Sequence, residues 1–209
     1  KTMFKFDYDD VDDYAHKLLP ITAASIIGDS MKLNDPVNRA IVNAGLRELN
    51  TLKDHIWQAF KYISDSVINI DEEFLSFNLI PLINSCNRMG EPEIAFKFLI
   101  SEDYKEALYN FNLMVDKNDK RRKIQKDLIK EAEFQIFDTE ELQALTIVLD
   151  KGFGINGIVS SVIGERKAKP TMTFVKHDGS LHGSGRSINS NFDLHKALTN
   201  IKEIDNEVF

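Results

Sequence analysis

The chain has 209 residues, 43% hydrophobic and 28% charged, with a net charge of −7 and a sequence pI near 5.3. That length allows one large domain or two small ones with a real core, and the composition is that of an ordinary soluble globular protein. The acidic balance excludes an all-over basic surface for nucleic acid, so any phosphate binding must come from local clusters. The single Cys86 cannot form an internal disulfide and suits a reducing cytoplasm. No apolar run reaches the roughly 18 residues of a membrane span, and no signal-peptide pattern opens the chain. The sequence begins at Lys1, which suggests a fragment or processed piece.

In chain order, "DYDDVDD" (7–13) holds five aspartates. It reads as a solvated acidic turn at a helix start, where carboxylates meet the helix dipole favourably. "LLPITAASIIGDSMKL" (18–33) is a buried segment that ends in Gly28-Asp29. In "DPVNRAIVNAGLREL" the residues Val37, Ile41, Ala44, Leu46 and Leu49 keep near-helical spacing. Residues 52–80 continue in an amphipathic helical register, with Trp57, Phe60, Ile63, Val67 and Phe74 as core. Residues 101–137 lack glycine and proline and carry apolar residues at helical spacing from Ala107 to Ile136. Ser101 can cap this helix, with Glu102 and Asp103 in its first turn. Unbroken, it is on the order of 50 Å long, a length that usually joins two lobes. Its run from Lys117 to Lys126 holds six basic residues and is either a solvated face or a contact surface.

After Asp138 the pattern changes. "LTIVL" (145–149) reads as a short buried strand, "DKGFGING" as a turn and "IVSSVIGER" (158–166) as a helix stopped by Pro170. "TMTFVK" (171–176) and "SLHGSGRSI" (180–188) pair as strands through the turn "HDG", and "NFDLHKALTNIKEI" is a last helix. This β-α-β-β order predicts a small α/β lobe.

Familiar nucleophile, metal and nucleotide motifs are missing, and the histidines at 16, 55, 177, 182 and 195 show no ligand spacing. Three polar clusters remain. Asp29, between Gly28 and Ser30, suits either a hard-metal ligand at the end of an apolar element or an N-cap for "SMKL". Asn84, Asn87 and Arg88 sit in an apolar run where they are costly to bury without partners, and Gly90 and Pro92 end the element. Gly183, Ser184 and Gly185 let backbone N–H groups converge on an anion with Arg186 as a donor fork; otherwise they form a glycine bulge beside an exposed arginine.

Taken in order, these stretches resemble the DHH phosphoesterases of the RecJ type. "SIIGDSMKLNDPVNRAIVNAGLREL" is similar to that family's ALGTxAD and NRxLVxxGL elements. "LIPLINSCNRMGEPEIAFKFLI" is similar to its PRINAAGRMG stretch, and Asn118, Arg121 and Gln125 to the N-x-x-R-x-x-x-E/Q pattern of its interdomain helix. "GINGIVSSVIGERKAKPTMTF", "LHGSGRSI" and "FDLHKAL" are similar to the DHH-associated domain, and the resemblance runs from about residue 18 to 202.

The resemblance implies an α/β fold: residues 1–100 as the mostly helical C-terminal part of a DHH domain, 101–137 as a long interdomain helix, and 138–209 as a truncated DHH-associated lobe. It implies a single-stranded-DNA exonuclease that hydrolyses phosphodiesters with two divalent metals, Mn²⁺ or Mg²⁺. Asp29 becomes the catalytic metal ligand, and Asn84, Arg88, Arg121, Ser184, Arg186 and Ser187 become nucleic-acid-binding residues. Single-stranded DNA is the implied partner, with a single-strand-binding protein or a helicase beside it, in a bacterial or phage-host cytoplasm.

Departures from the family set further expectations. The first-motif aspartates and the DHH triplet are absent and are expected upstream, and the closing GGHxxAAG is absent after Phe209. Gly152 stands where the family has a histidine. "DYDDVDD" is not the missing first motif, so the segment alone is expected to be inert. The competing readings are an oligonucleotide or cyclic-dinucleotide phosphodiesterase of the same superfamily, and a non-catalytic single-strand-binding scaffold.

Overall fold

A computed structural model describes residues 8–51, 54–63, 69–137, 141–188 and 192–204. The protein is mostly helical, with a small mixed three-stranded sheet, and is α/β in class. It divides into two compact units, Lys1–Asn118 and Asp119–Phe209. The division falls inside the long helix, whereas the sequence sets its boundaries on either side of that helix. Among the described residues no helix is long and apolar enough to cross a membrane.

The first unit is built from helices α1 (Tyr8–Gly28), α2 (Pro36–Thr51), α3 (His55–Ile63), α4 (Glu72–Phe74), α5 (Ile80–Arg88), α6 (Pro92–Leu99) and the start of α7 (Tyr104–Gln135). The aspartates at 9, 10, 12 and 13 lie within the first turns of α1, at a helix start as expected; Asp7 lies outside the described residues. Helices α1 and α2 meet at Gly45, where a Cβ would stand 2.4 Å from the Leu19 carbonyl oxygen. The buried face of α2 is Val42, Gly45 and Leu49, and Val37, expected on that face, is 64% exposed in the first turn. A one-residue phase error in reading the stripe is enough to misplace it.

The core of this unit gathers Leu49, Trp57, Phe60, Leu75, Leu79 and Phe98. Phe111 of α7 packs at 5.9 Å from Phe60 and 5.5 Å from Phe98, ring centre to ring centre. The helical register expected through residue 80 breaks before Asp71, whose carboxylate caps α4 by accepting from Phe74 N–H at 2.8 Å. Val67 and the side chain of Ile63 lie outside the described residues. A π turn over Leu75–Leu79 joins α4 to α5 just ahead of Pro81, which offers no N–H and crowds the preceding turn.

The cap of α7 is Asp103, not Ser101. Asp103 Oδ1 accepts from Glu106 N–H at 2.9 Å, and Glu106 reaches back to Glu102 N–H at 2.8 Å, an arrangement close to a capping box. Ser101 is buried and donates its hydroxyl to the Lys97 carbonyl at 2.7 Å, closing α6 instead.

In the second unit, β1 (Leu145–Leu149) runs parallel to β2 (Thr171–His177), and β2 pairs antiparallel with β3 (Ser180–Arg186). Helix α8 (Asn156–Lys167) makes the crossover, and α9 (Leu194–Ile204) follows β3. Asp178 and Gly179 form the two-residue hairpin turn, both at positive φ (49° and 79°), as a primed turn requires. Helix α8 ends at Ala168, held left-handed at φ 51°, two residues ahead of the expected Pro170. The outer edge of β1 is closed by α7: Gln135 Nε2 donates to the Val148 carbonyl at 2.7 Å, and Gln135 Oε1 accepts from Val148 N–H at 3.2 Å. One turn earlier, Glu131 accepts from Asp150 N–H at 3.4 Å.

Candidate functional site

The predicted residues fall into two groups, one in each compact unit. In the first unit, Asp29 follows the last residue of α1. Ser30 is left-handed at φ 52°, Met31 N–H reaches back to Ile26 O at 3.0 Å, and Ser30 N–H to Ile27 O at 3.1 Å. These bonds make a Schellman ending, so Asp29 is a C-cap. No helix follows it directly. The next one, α2, is capped by Asp35, whose Oδ1 accepts from Val37 N–H at 2.8 Å. The N-cap reading of Asp29 is therefore wrong. An exposed carboxylate instead sits at the negative end of α1, whose last turn carries no basic residue. That position favours a cation beside it.

Asp29 lines a cavity of about 190 Å³ with Ser25, Gly28, Ile80 and Asn84, floored by Trp57 and Leu79. Asn84 comes from α5, and Arg88 stands one turn further along that helix. Asn84, Asn87 and Arg88 are exposed, so the burial cost expected for them does not arise. Gly90, at φ 78° with open space around it, ends α5, where Glu91 N–H reaches the Cys86 carbonyl at 2.9 Å. The cavity thus brings Asp29 and Asn84 together.

Its donor set does not by itself make a two-metal site. Among the described residues Asp29 is the one carboxylate that lines the cavity. Among the described residues no group of three or more His, Cys, Asp or Glu is arranged to hold a metal ion.

The second group is set by the period of β3. Ser184 pairs with Thr173 and Arg186 with Thr171, both buried, so Ser184 and Arg186 share the face toward α8. There Arg186 Nε donates to Ser161 Oγ at 3.0 Å, and Nη1 donates to the Gly185 carbonyl at 2.8 Å. Gly157 makes room for the pair, since a Cβ there would lie 2.8 Å from Ser184 Oγ and 3.5 Å from Arg186 Nη2. Among the described residues no carboxylate pairs with Arg186. Ser187 lies just past the strand and donates to the Phe192 carbonyl.

Gly183 and Gly185 take the opposite face. A Cβ at 183 would lie 2.7 Å from the Phe174 ring, and one at 185 would lie 2.5 Å from Leu194 Cδ2. They form neither a converging loop nor a bulge, because the β2–β3 register is continuous through them. The glycines admit large neighbours, while the serine between them and the arginine after them face the helix. Gly152 is similar: φ is 101°, and a Cβ would meet Leu128 Cδ1 at 2.3 Å, so a histidine here would be strained and would have to displace the Leu128 side chain.

Arg121, on α7 in the second unit, donates to Gln125 one turn on. Sequence reading missed Ser161 and Gly157. The signal was the small-residue run of "NGIVSS", which keeps one side of α8 low.

No family model matches the chain. It is 28% identical to the single-stranded-DNA-specific exonuclease RecJ of Bacillus subtilis (strain 168), over 96% of this chain and 26% of that protein. The RecJ of Dickeya dadantii (strain 3937) is 27% identical, over 82% of this chain and 31% of that protein. In structure the chain is similar to RecJ from Thermus thermophilus in complex with Mg²⁺, with a TM-score of 0.77 and 23% identity, over 90% of this chain and 29% of that one. It is also similar to an exonuclease RecJ bound to manganese, with a TM-score of 0.71 and 22% identity, over 88% and 46%. The chain spans about a fifth to a third of the curated relatives it matches. In sequence and in fold, this chain is similar to a part of the RecJ exonucleases.

Proposed function

We propose that this chain is the DNA-handling part of a RecJ-like nuclease that hydrolyses the phosphodiester bonds of single-stranded DNA. What carries the reading is Arg186, a cationic fork with no carboxylate partner among the described residues, fixed beside Ser184 on the α8 face in a chain of RecJ type. A guanidinium held this way suits a phosphate oxygen, which needs donors without regard to base. Ser184 and Ser187 add hydroxyl donors, and Arg121, oriented by Gln125, adds a further cation. In the first unit, Asn84 and Arg88 are proposed to meet phosphate near Asp29.

Asp29 enters as one ligand of a divalent-metal site whose other ligands the described residues do not supply. Its place at the negative end of α1 supports a cation there. Mg²⁺ and manganese are the metals named with the RecJ structures. Residues 1–100, 101–137 and 138–209 are read as DHH-domain portion, connecting helix and DHH-associated lobe. A cytoplasmic setting belongs to the same proposal and is supported by the free, buried Cys86.

That Asp29 is the one carboxylate lining the cavity among the described residues also supports a second reading, a scaffold that binds single strands without cutting them. A chimera separates the two: this segment replaces its counterpart in the Bacillus subtilis protein, and Mn²⁺-dependent loss of labelled single-stranded DNA is followed. Degradation supports the nuclease reading. Binding without degradation favours the scaffold, and neither would sink both.

A further inference from the structure

We propose that α7 and α8 form a second phosphate-tracking groove in the Asp119–Phe209 unit, which takes the backbone of a single nucleic-acid strand. Arg122, Lys126 and Lys130 follow one another at four-residue spacing along α7, and Arg166 of α8 faces them across a concavity of about 310 Å³. Residues four apart share a helix face with Cβ atoms about 5–6 Å apart, so three like charges in this row repel one another. Asp119 and Asp127 stand three residues from Arg122 and Lys130 on the same helix without an ion pair among the described residues, and Glu133 itself lines the groove. Glu133 is engaged by Arg166, and Glu131 accepts from Asp150 N–H at the β1 edge. Among the described residues no carboxylate lies within ion-pair distance of Arg122, Lys126 or Lys130. In a chain of net charge −7, this row without an ion-pair partner among the described residues has a cost that a bound polyanion offsets.

The shape selects among polyanions. Each four-residue step advances about 6 Å along the helix axis, and an extended strand presents one charge per residue at regular intervals longer than the about 3.4 Å of a duplex strand. Apart from Ile129 the lining is charged or polar, without the aromatic or apolar anchors a folded protein partner uses. Gln125 both lines the groove and holds Arg121, so the row continues into a residue already assigned to the strand. The ligand class rests on the nuclease reading; the groove itself rests on the charge geometry.

The test uses the 209-residue chain, a fluorescent oligothymidylate and an oligoglutamate of equal length, over a range of salt. Arg122→Gln/Lys126→Gln/Lys130→Gln should weaken oligothymidylate binding at least about tenfold and lower the salt slope by about two units, at about 0.7 per phosphate on a single strand. The triple variant should melt no lower than the parent, because it removes repulsion. Unchanged affinity and slope in a folded triple variant would overturn the groove, as would no binding by the parent chain. Equal binding of oligoglutamate, lost in the same variant, would overturn the nucleic-acid assignment. If Arg186→Ala has no effect while the triple variant loses affinity, the groove stands and the Arg186 grip fails.

Discussion

Arg186 Nε donates to Ser161 Oγ at 3.0 Å, so a helix hydroxyl aims the guanidinium of β3. If the fork grips a phosphate, Arg186→Ala should weaken single-strand binding about equally on pyrimidine and mixed sequences, and lower the salt slope by about 0.7. Ser161→Ala removes the aim but keeps the charge. It should cost a few-fold in affinity, leave the slope unchanged and move stability by no more than about 0.5 kcal/mol. Fluorescence titrations at several salt concentrations read both; an unchanged slope in Arg186→Ala leaves the arginine a surface strut.

Asp29 as a C-cap makes a signed prediction. Without metal, Asp29→Asn should raise stability by about 0.3–1 kcal/mol, because a carboxylate leaves the negative end of α1. In the chimera the same change should abolish Mn²⁺-dependent degradation. Thermal melts and the degradation assay check the two halves, and a variant that melts lower and still cuts would make Asp29 structural.

The glycines should separate by what a Cβ meets. Gly45→Ala, 2.4 Å from a backbone oxygen, should be the worst, at about 3 kcal/mol or more, since the helix backbones must part. Gly183→Ala presses on the movable Phe174 ring and should cost about 1–3 kcal/mol. Gly179→Ala meets open space at φ 79° and should cost about 1–2 kcal/mol from conformation alone. Denaturant melts rank them, and equal losses at 45 and 179 would contradict the close approach of α1 and α2.

Burial pushes the Cys86 thiol up from its ordinary value, outweighing the nearby Lys117 that pulls it down. The folded state therefore holds this proton to higher pH than the unfolded chain does. Stability attached to it is complete below the unfolded thiol's pKa of about 8.5 and falls as pH rises through the folded value. Alkylation of the native protein should be slow at neutral pH and set by unfolding. A stability profile equally steep above about pH 8.5 in Cys86→Ala would assign the slope elsewhere.

Much of the second unit was legible because its signals are local. "LTIVL" has the length of a buried strand, and Asp178-Gly179 can only turn one way. The long helix was legible from its unbroken apolar spacing. The errors came where an answer depends on a distant neighbour. A glycine looks the same whether it frees a loop or clears space for Phe174, and only the folded sheet decides. Asp29 before "SMKL" looks like the start of a helix, but the chain had just finished one. Ser101 and Asp103 are both competent caps, and the burial of Ser101 against α6 and His55 gave the role to Asp103. The resemblance placed Arg186 on the strand-binding list, and the structure supplied the partner, Ser161, that a linear reading does not connect to it.

The pairing of the Gln135 amide with Val148 has a consequence for self-association. A carboxamide that offers one donor and one acceptor to an edge residue imitates a neighbouring strand, and it occupies the position where a second copy would add one. Val148 is 50% exposed, and Phe134 and Phe137, on either side of Gln135 in sequence, are 84% and 88% exposed, so an unguarded edge would lie in greasy surroundings. At this one residue of the β1 edge the glutamine acts as a stopper, and its loss is expected to expose backbone groups to which a second copy could add a strand.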